Sequence, residues 1–179
     1  MPGSAVNHLA HFALAHPEPG LIVGAFLGDF VKGRLTGDRP PAVERGIRLH
    51  RAIDAFTDGH EVVRHSARRF DPAFRRYAPI LIDLIFDHFL AQSWHEHSER
   101  ALSEFSDDVF ETVLADRALL PGEAATTAVR MREARSMERY ATTAFLQRSF
   151  VHVGSRLQRD NPMKDAYTEF ERLETELLD

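Results

Sequence analysis

The chain has 179 residues, no cysteine, and 22 Lys and Arg against 27 Asp and Glu for a net charge of −5. That length suits one well-buried core in a single domain over 1–179, and the missing thiols exclude a disulfide framework, a thiolate zinc site and a cysteine nucleophile. No run approaches the roughly 20 apolar residues of a membrane span, and Met1-Pro2-Gly3-Ser4 lacks the basic start of a secretory signal, so the expectation is a soluble cytoplasmic protein that does not engage a membrane.

Ser4 is placed to cap a helix from Ala5 to Ala15 with Asn7 and His11 one turn apart, stopped by Pro17-Glu18-Pro19-Gly20. Leu21 to Phe30 reads as an apolar helix whose Gly24 and Gly28 permit close helix approach and which delivers Asp29 before Gly33. Pro40-Pro41 fits the first turn of a helix running to about Phe56. His50, Asp54 and Asp58 fall at i, i+4 and i+8, along one stripe of that helix. Thr57-Asp58-Gly59 reads as a break, with Asp58 suited to capping the next helix, and His60 to Phe70 and Pro72 to Tyr77 read as basic helical segments.

Pro79 to His97 is expected as one long helix in which Asp83, Asp87 and His88 interrupt an otherwise apolar run. An ionised carboxylate among Ile, Leu and Phe is costly unless a cation or hydrogen-bond donors compensate it. If this helix faces the His50–Asp54 helix, imidazoles and carboxylates converge in a setting that suits Mg²⁺ or Mn²⁺. Apolar residues then recur at helical spacing from Leu102 to Leu114, and further helices are expected over Glu123–Tyr140, Thr142–Gln158 and beyond Asn161-Pro162. With no sustained period-two alternation and no repeat, the chain reads as one all-α bundle of about eight helices.

Charge is unevenly spread. Positions 32–76 hold eleven basic and six acidic residues, a balance of +5 that leaves −10 for the remainder. This arginine-rich block, with Arg68, Arg69 and Arg76 on its exposed helical faces, points to an acidic partner, and the overall acidity argues against nucleic acid.

Four strings in order, Val6-Asn7-His8-Leu9-Ala10-His11, Gly24 to Gly33, Gly46 to Asp58 and Asp83 to Leu90, resemble the acyl carrier protein phosphodiesterase family from about Asn7 to Trp94. Two positions depart from the resemblance: His8 stands where an aromatic residue is expected, which makes it a poor ligand candidate, and Ala25 where an asparagine is expected. The family is similar to HD-type metal-dependent phosphohydrolases, so the resemblance implies a distorted HD-like bundle. It also implies removal of 4′-phosphopantetheine from holo acyl carrier protein with Mn²⁺ or Mg²⁺. On that basis His50, Asp54, Asp87 and His88 are expected as metal ligands, Asp29 or Asp83 as proton acceptor, Arg51 as a phosphate contact and His11 as an orienting group. Two other readings stand beside it: an HD-like hydrolase of another small phosphoester, and a non-catalytic helical module whose acidic cluster is structural.

Overall fold

In the computed structural model, which describes residues 8–178, every regular element among the described residues is helical. The proposed Ser4 cap, the Ala5 start and Asn7 lie outside the described residues. The helices are α1 (Leu9–Ala15), α2 (Pro19–Leu27), α3 (Pro41–Gly59), α4 (Glu61–Arg69), α5 (Ala78–Gln92), α6 (Trp94–His97), α7 (Leu102–Ala115), α8 (Gly122–Glu133), α9 (Ser136–Tyr140), α10 (Thr143–Arg156) and α11 (Ala166–Leu178). No described helix is long and apolar enough to cross a membrane.

Two of the expected long segments are each split in two. The first breaks at Ser93, between α5 and α6. The second breaks at Arg135, whose left-handed backbone (φ 47°) separates α8 from α9. A non-glycine residue there carries no sequence signature. The break expected at Thr57-Asp58-Gly59 comes later: Thr57 Oγ1 donates to the Ile53 carbonyl (2.8 Å) inside the helix, and α3 continues to Gly59. His60, not Asp58, caps α4, its Nδ1 accepting from the Val62 amide at 3.3 Å. Residues 72–77 form turns rather than a helix, begun by Asp71 accepting from the Ala73 amide at 3.0 Å.

Two glycines bring α2 and α3 into backbone contact. A β-carbon on Gly46 would sit 2.7 Å from the Gly24 Cα, so neither position has room for a side chain. The loop between the two helices is held by α3. Buried Glu44 accepts from the Gly37 amide (2.8 Å) and pairs with Arg48 (2.9 Å), and Arg51 donates to the Val31 carbonyl (2.8 Å).

Packing falls into two cores. One gathers α1, α2, the start of α3, α7, α8 and α9 around Phe12, Phe26 and Phe110; the other gathers α4, α5, α10 and α11 around Phe70, Phe150 and Phe170. α5 runs along the seam, with Leu81, Ile82 and Ile85 in the second core and Ala91 in the first. α3 and α5 do not pack extensively on each other. The short α1 lies against both, and that wedge decides how their polar groups meet.

Candidate functional site

α3 presents His50 and Asp54 one turn apart, as the stripe predicts. His50 is buried, and its Nδ1 donates to the Ala25 carbonyl at 2.9 Å. A carbonyl only accepts, so the proton sits on Nδ1 and the Nε2 lone pair is turned toward Asp54 Oδ2, 3.4 Å away. Gly28 makes the room: a β-carbon there would overlap the His50 ring. From α1, His11 stacks on His50 with ring centroids 4.0 Å apart and planes 17° off parallel, and its Nε2 lies 3.2 Å from Asp54 Oδ1. Ligand atoms of His11, His50 and Asp54 all lie within 4.8 Å of one another. Asp29, at the end of α2, adds a carboxylate oxygen 4.0 Å from His50 Nε2, and its other oxygen is buried without a hydrogen-bond partner among the described residues.

Burial, then the charge of His11, lowers the His50 pKa to about 4 against the pull of Asp54, so the ring is neutral near pH 7. A neutral Nε2 facing a carboxylate oxygen sets two lone pairs against each other, and a cation between them resolves the conflict. His11 is the opposite case. Burial lowers its pKa, but the hydrogen bond to Asp54 and the charges of Asp54, Asp87 and Asp29 outweigh burial and raise it. Asp54 mirrors this, held below the usual carboxylate range despite burial by the His11 hydrogen bond and by both imidazoles. Asp54 is also half exposed, at 50%, so the cluster opens to solvent on its side. Burial pushes Asp29 up to about 6 against His11 and Lys32.

The α5 residues take three different places. Asp87 is buried and receives the amides of Leu9 (2.9 Å) and Ala10 (3.0 Å), one on each oxygen. It therefore caps α1 and fixes His11, the next residue after Ala10, within that first turn. Burial raises its pKa to about 6 although both amides pull it down. His88 does not join the cluster. Its Nδ1 donates to the Tyr140 carbonyl at 2.7 Å and its ring packs against Phe89 and Phe170, leaving Nε2 buried without a partner among the described residues. Adjacent residues diverge by about 100° on a helix, so Asp87 and His88 look in different directions. Asp83 is close enough to Asp58, Asp54 and Asp87 to feel their charges; burial first and then these carboxylates push it up to about 7. Arg51 is committed to the Val31 carbonyl and serves as a clamp on the loop that follows Asp29.

A family model described as acyl carrier protein phosphodiesterase matches residues 6–179. The chain belongs to the acyl carrier protein phosphodiesterase family. Proteins of that name from Klebsiella pneumoniae subsp. pneumoniae, Serratia proteamaculans and Escherichia coli are 34%, 32% and 33% identical to it. The matches cover 96%, 93% and 90% of this chain and 91%, 87% and 84% of those relatives, respectively. No solved structure matches the chain.

Of three further site neighbours, Tyr140 and Lys32 escaped the sequence reading, which named His8 only as a poor ligand candidate. His8 is fully buried between Phe12 and Phe26 with Nδ1 3.5 Å from Asp29 Oδ2. Burial, then the charges of His11 and His50, lowers its pKa to about 3, so it acts as a neutral ring in an aromatic place. Tyr140 reaches from α9 so that its buried hydroxyl feels Asp87 and Asp29, and burial above all raises its pKa. Lys32 lies near enough to favour the charged forms of Asp29 and Asp54. Lys32 was legible as the cation three residues after Asp29; Tyr140 had no local signal, since only the fold brings α9 to α5.

Proposed function

We propose that the protein hydrolyses the phosphodiester linking 4′-phosphopantetheine to holo acyl carrier protein and releases the apo form, in the cytoplasm, which the cysteine-free composition suits. Family membership supports the reaction class, and the observation that carries the reading at the site is the neutral His50 Nε2 facing the Asp54 carboxylate at 3.4 Å. The donor set of two imidazoles and a carboxylate, with Asp29 alongside, fits a divalent cation of the Mn²⁺ or Mg²⁺ kind, and His11, His50 and Asp54 are the residues that would hold it. When bound, it supplies charge neutralisation for a phosphate oxygen and acidity to a water.

The chain's own residues do the rest. The Ala25 carbonyl fixes the His50 tautomer, and Asp87 anchors α1 so that His11 meets Asp54 from the other side. Asp29 accepts the proton of the attacking water: its Oδ1 faces the cluster, 4.0 Å from His50 Nε2, and a pKa of about 6 leaves it a base at neutral pH. Asp83, Asp54 and Asp58 give the open side an excess of negative charge, which draws a cation in. The direct test is incubation of the protein with holo carrier protein and Mn²⁺, followed by intact-mass measurement. Loss of the phosphopantetheine mass is expected, and an unchanged holo mass overturns the proposal.

A further inference from the structure

The arginines that stand out in the sequence are partly used up by the fold. Arg48 pairs with Glu44, Arg51 and Arg75 donate to the carbonyls of Val31 and Phe70, and Arg69 lies 3.9 Å from Glu176. A second set is not. α8 and α10 do not pack extensively on each other but are joined at their base by α9, and the space between them is a groove of about 720 Å³. Its lining runs along α8 from Gly122 to Ala134 and along α10 from Phe145 to Arg156. At about 1.5 Å per residue each wall is roughly three turns long.

Arg130 stands on one wall and Arg148, His152 and Arg156 on the other, all exposed, over an apolar floor that includes Met131 and Phe145. Among the described residues none of these three guanidinium groups is in an ion pair. The single acid in the lining, Glu123, sits at the start of α8. Arg148 and Arg156 are eight residues apart, about 12 Å along the helix, so the cations are strung out rather than converged on one phosphate. A rod of helical length, apolar beneath and acidic at its flanks, matches this surface in shape and charge. At the base, the Phe145 ring lies 5.3 Å from that of Tyr140, whose buried hydroxyl feels the charges of Asp87 and Asp29.

We propose that the α8–α10 groove receives an acidic amphipathic helix of the carrier protein substrate. The proposal rests on the activity proposed above and names a docking surface for it, outside the arginine block of positions 32–76. Docking through long-range attraction and guanidinium forks makes binding salt-dependent.

The experiment titrates apo carrier protein, which binds without turnover, into the wild-type protein and into Arg148→Glu/Arg156→Glu at low and high salt, and follows kcat and KM on the holo form. The double reversal is expected to weaken apo binding at least tenfold at low salt and much less at high salt. It should raise KM for the holo protein by a similar factor and leave turnover of a small phosphopantetheine diester unchanged. Arg148→Gln/Arg156→Gln gives the same readout in smaller measure should charge reversal disturb the fold. Unchanged carrier binding, or an equal loss on the small diester, overturns the proposal. So does a wild-type dimer in sedimentation that the reversal splits, which would assign the groove to a second copy. If the wild type leaves holo carrier protein intact while apo binding still depends on the groove, the activity fails and the docking surface stands. If turnover proceeds with no groove dependence, the docking surface fails and the activity stands.

Discussion

His50 and His88 are built alike. Each is buried on a helix, each follows or precedes an aspartate of its own helix, and each spends Nδ1 on a main-chain carbonyl, Ala25 at 2.9 Å and Tyr140 at 2.7 Å. Both rings thereby present an Nε2 lone pair. What differs is the surroundings of that nitrogen: carboxylate oxygens of Asp54 and Asp29 for His50, the rings of Phe89 and Phe170 beside His88. Residue type and tautomer are thus common to a binding site and to a core. The facing groups, brought by other elements, make one of them chemical.

The comparison breaks most visibly at Asp54. Asp54→Ala removes the acceptor that sets His50 apart, and it should abolish turnover and lower Mn²⁺ affinity about 100-fold or more. Circular dichroism should stay helical, because the residue is half exposed. Asp29→Asn keeps the shape of the buried carboxylate but not its basicity, so kcat should fall about 10²–10³-fold. In the wild type kcat/KM should rise with pH through a limb near 6, the value to which burial pushes Asp29, and the variant's profile should lack that limb.

Asp83 sharpens the comparison through stability. Its folded pKa of about 7 stands above the unfolded value of 3.8, so between these the native state binds the extra proton and stability contributed at this site falls as pH rises. Asp83→Asn removes that penalty. The metal-free variant should nearly match the wild type at pH 4 and exceed it at pH 7.5 by about 4 kcal/mol, read from urea midpoints at the two pH values. Added Mn²⁺ should narrow the gap by relieving the same repulsion. The smallest effect on the site belongs to His88. His88→Phe orphans the Tyr140 carbonyl and should cost about 1–3 kcal/mol of stability, yet Mn²⁺ affinity in a titration should change by less than about threefold. A larger loss, on the scale of the about 10- to 100-fold of ligand-supporting residues, would bring His88 into the site.

The all-helical class, the glycine contact between α2 and α3 and the His50–Asp54 pair were legible, because each rests on spacing within one segment. The α5 residues were not, since sequence gives the angle between Asp87 and His88 but not what stands opposite each. It is α1, wedged between α3 and α5, that takes up the Asp87 carboxylate with its first amides and offers His11 to the α3 cluster. Thr57-Asp58-Gly59 misled in the other direction: turn-forming residues stayed helical because the Thr57 hydroxyl found the Ile53 carbonyl. The groove arginines were overlooked because Arg130, Arg148 and Arg156 are scattered in sequence and meet only where α8 and α10 diverge.

Gly28 has no chemistry of its own, yet the His50 ring fills the space its side chain would occupy. In a library that samples every residue at every position, the tolerance profile of Gly28 should therefore copy that of His50, with even alanine scored as loss. Neighbouring exposed positions such as Ala52 and Ala55 should accept most replacements. An absent methyl group is in this sense as heritable a part of the site as the imidazole it admits, and a search for functional positions confined to reactive side chains would pass over it.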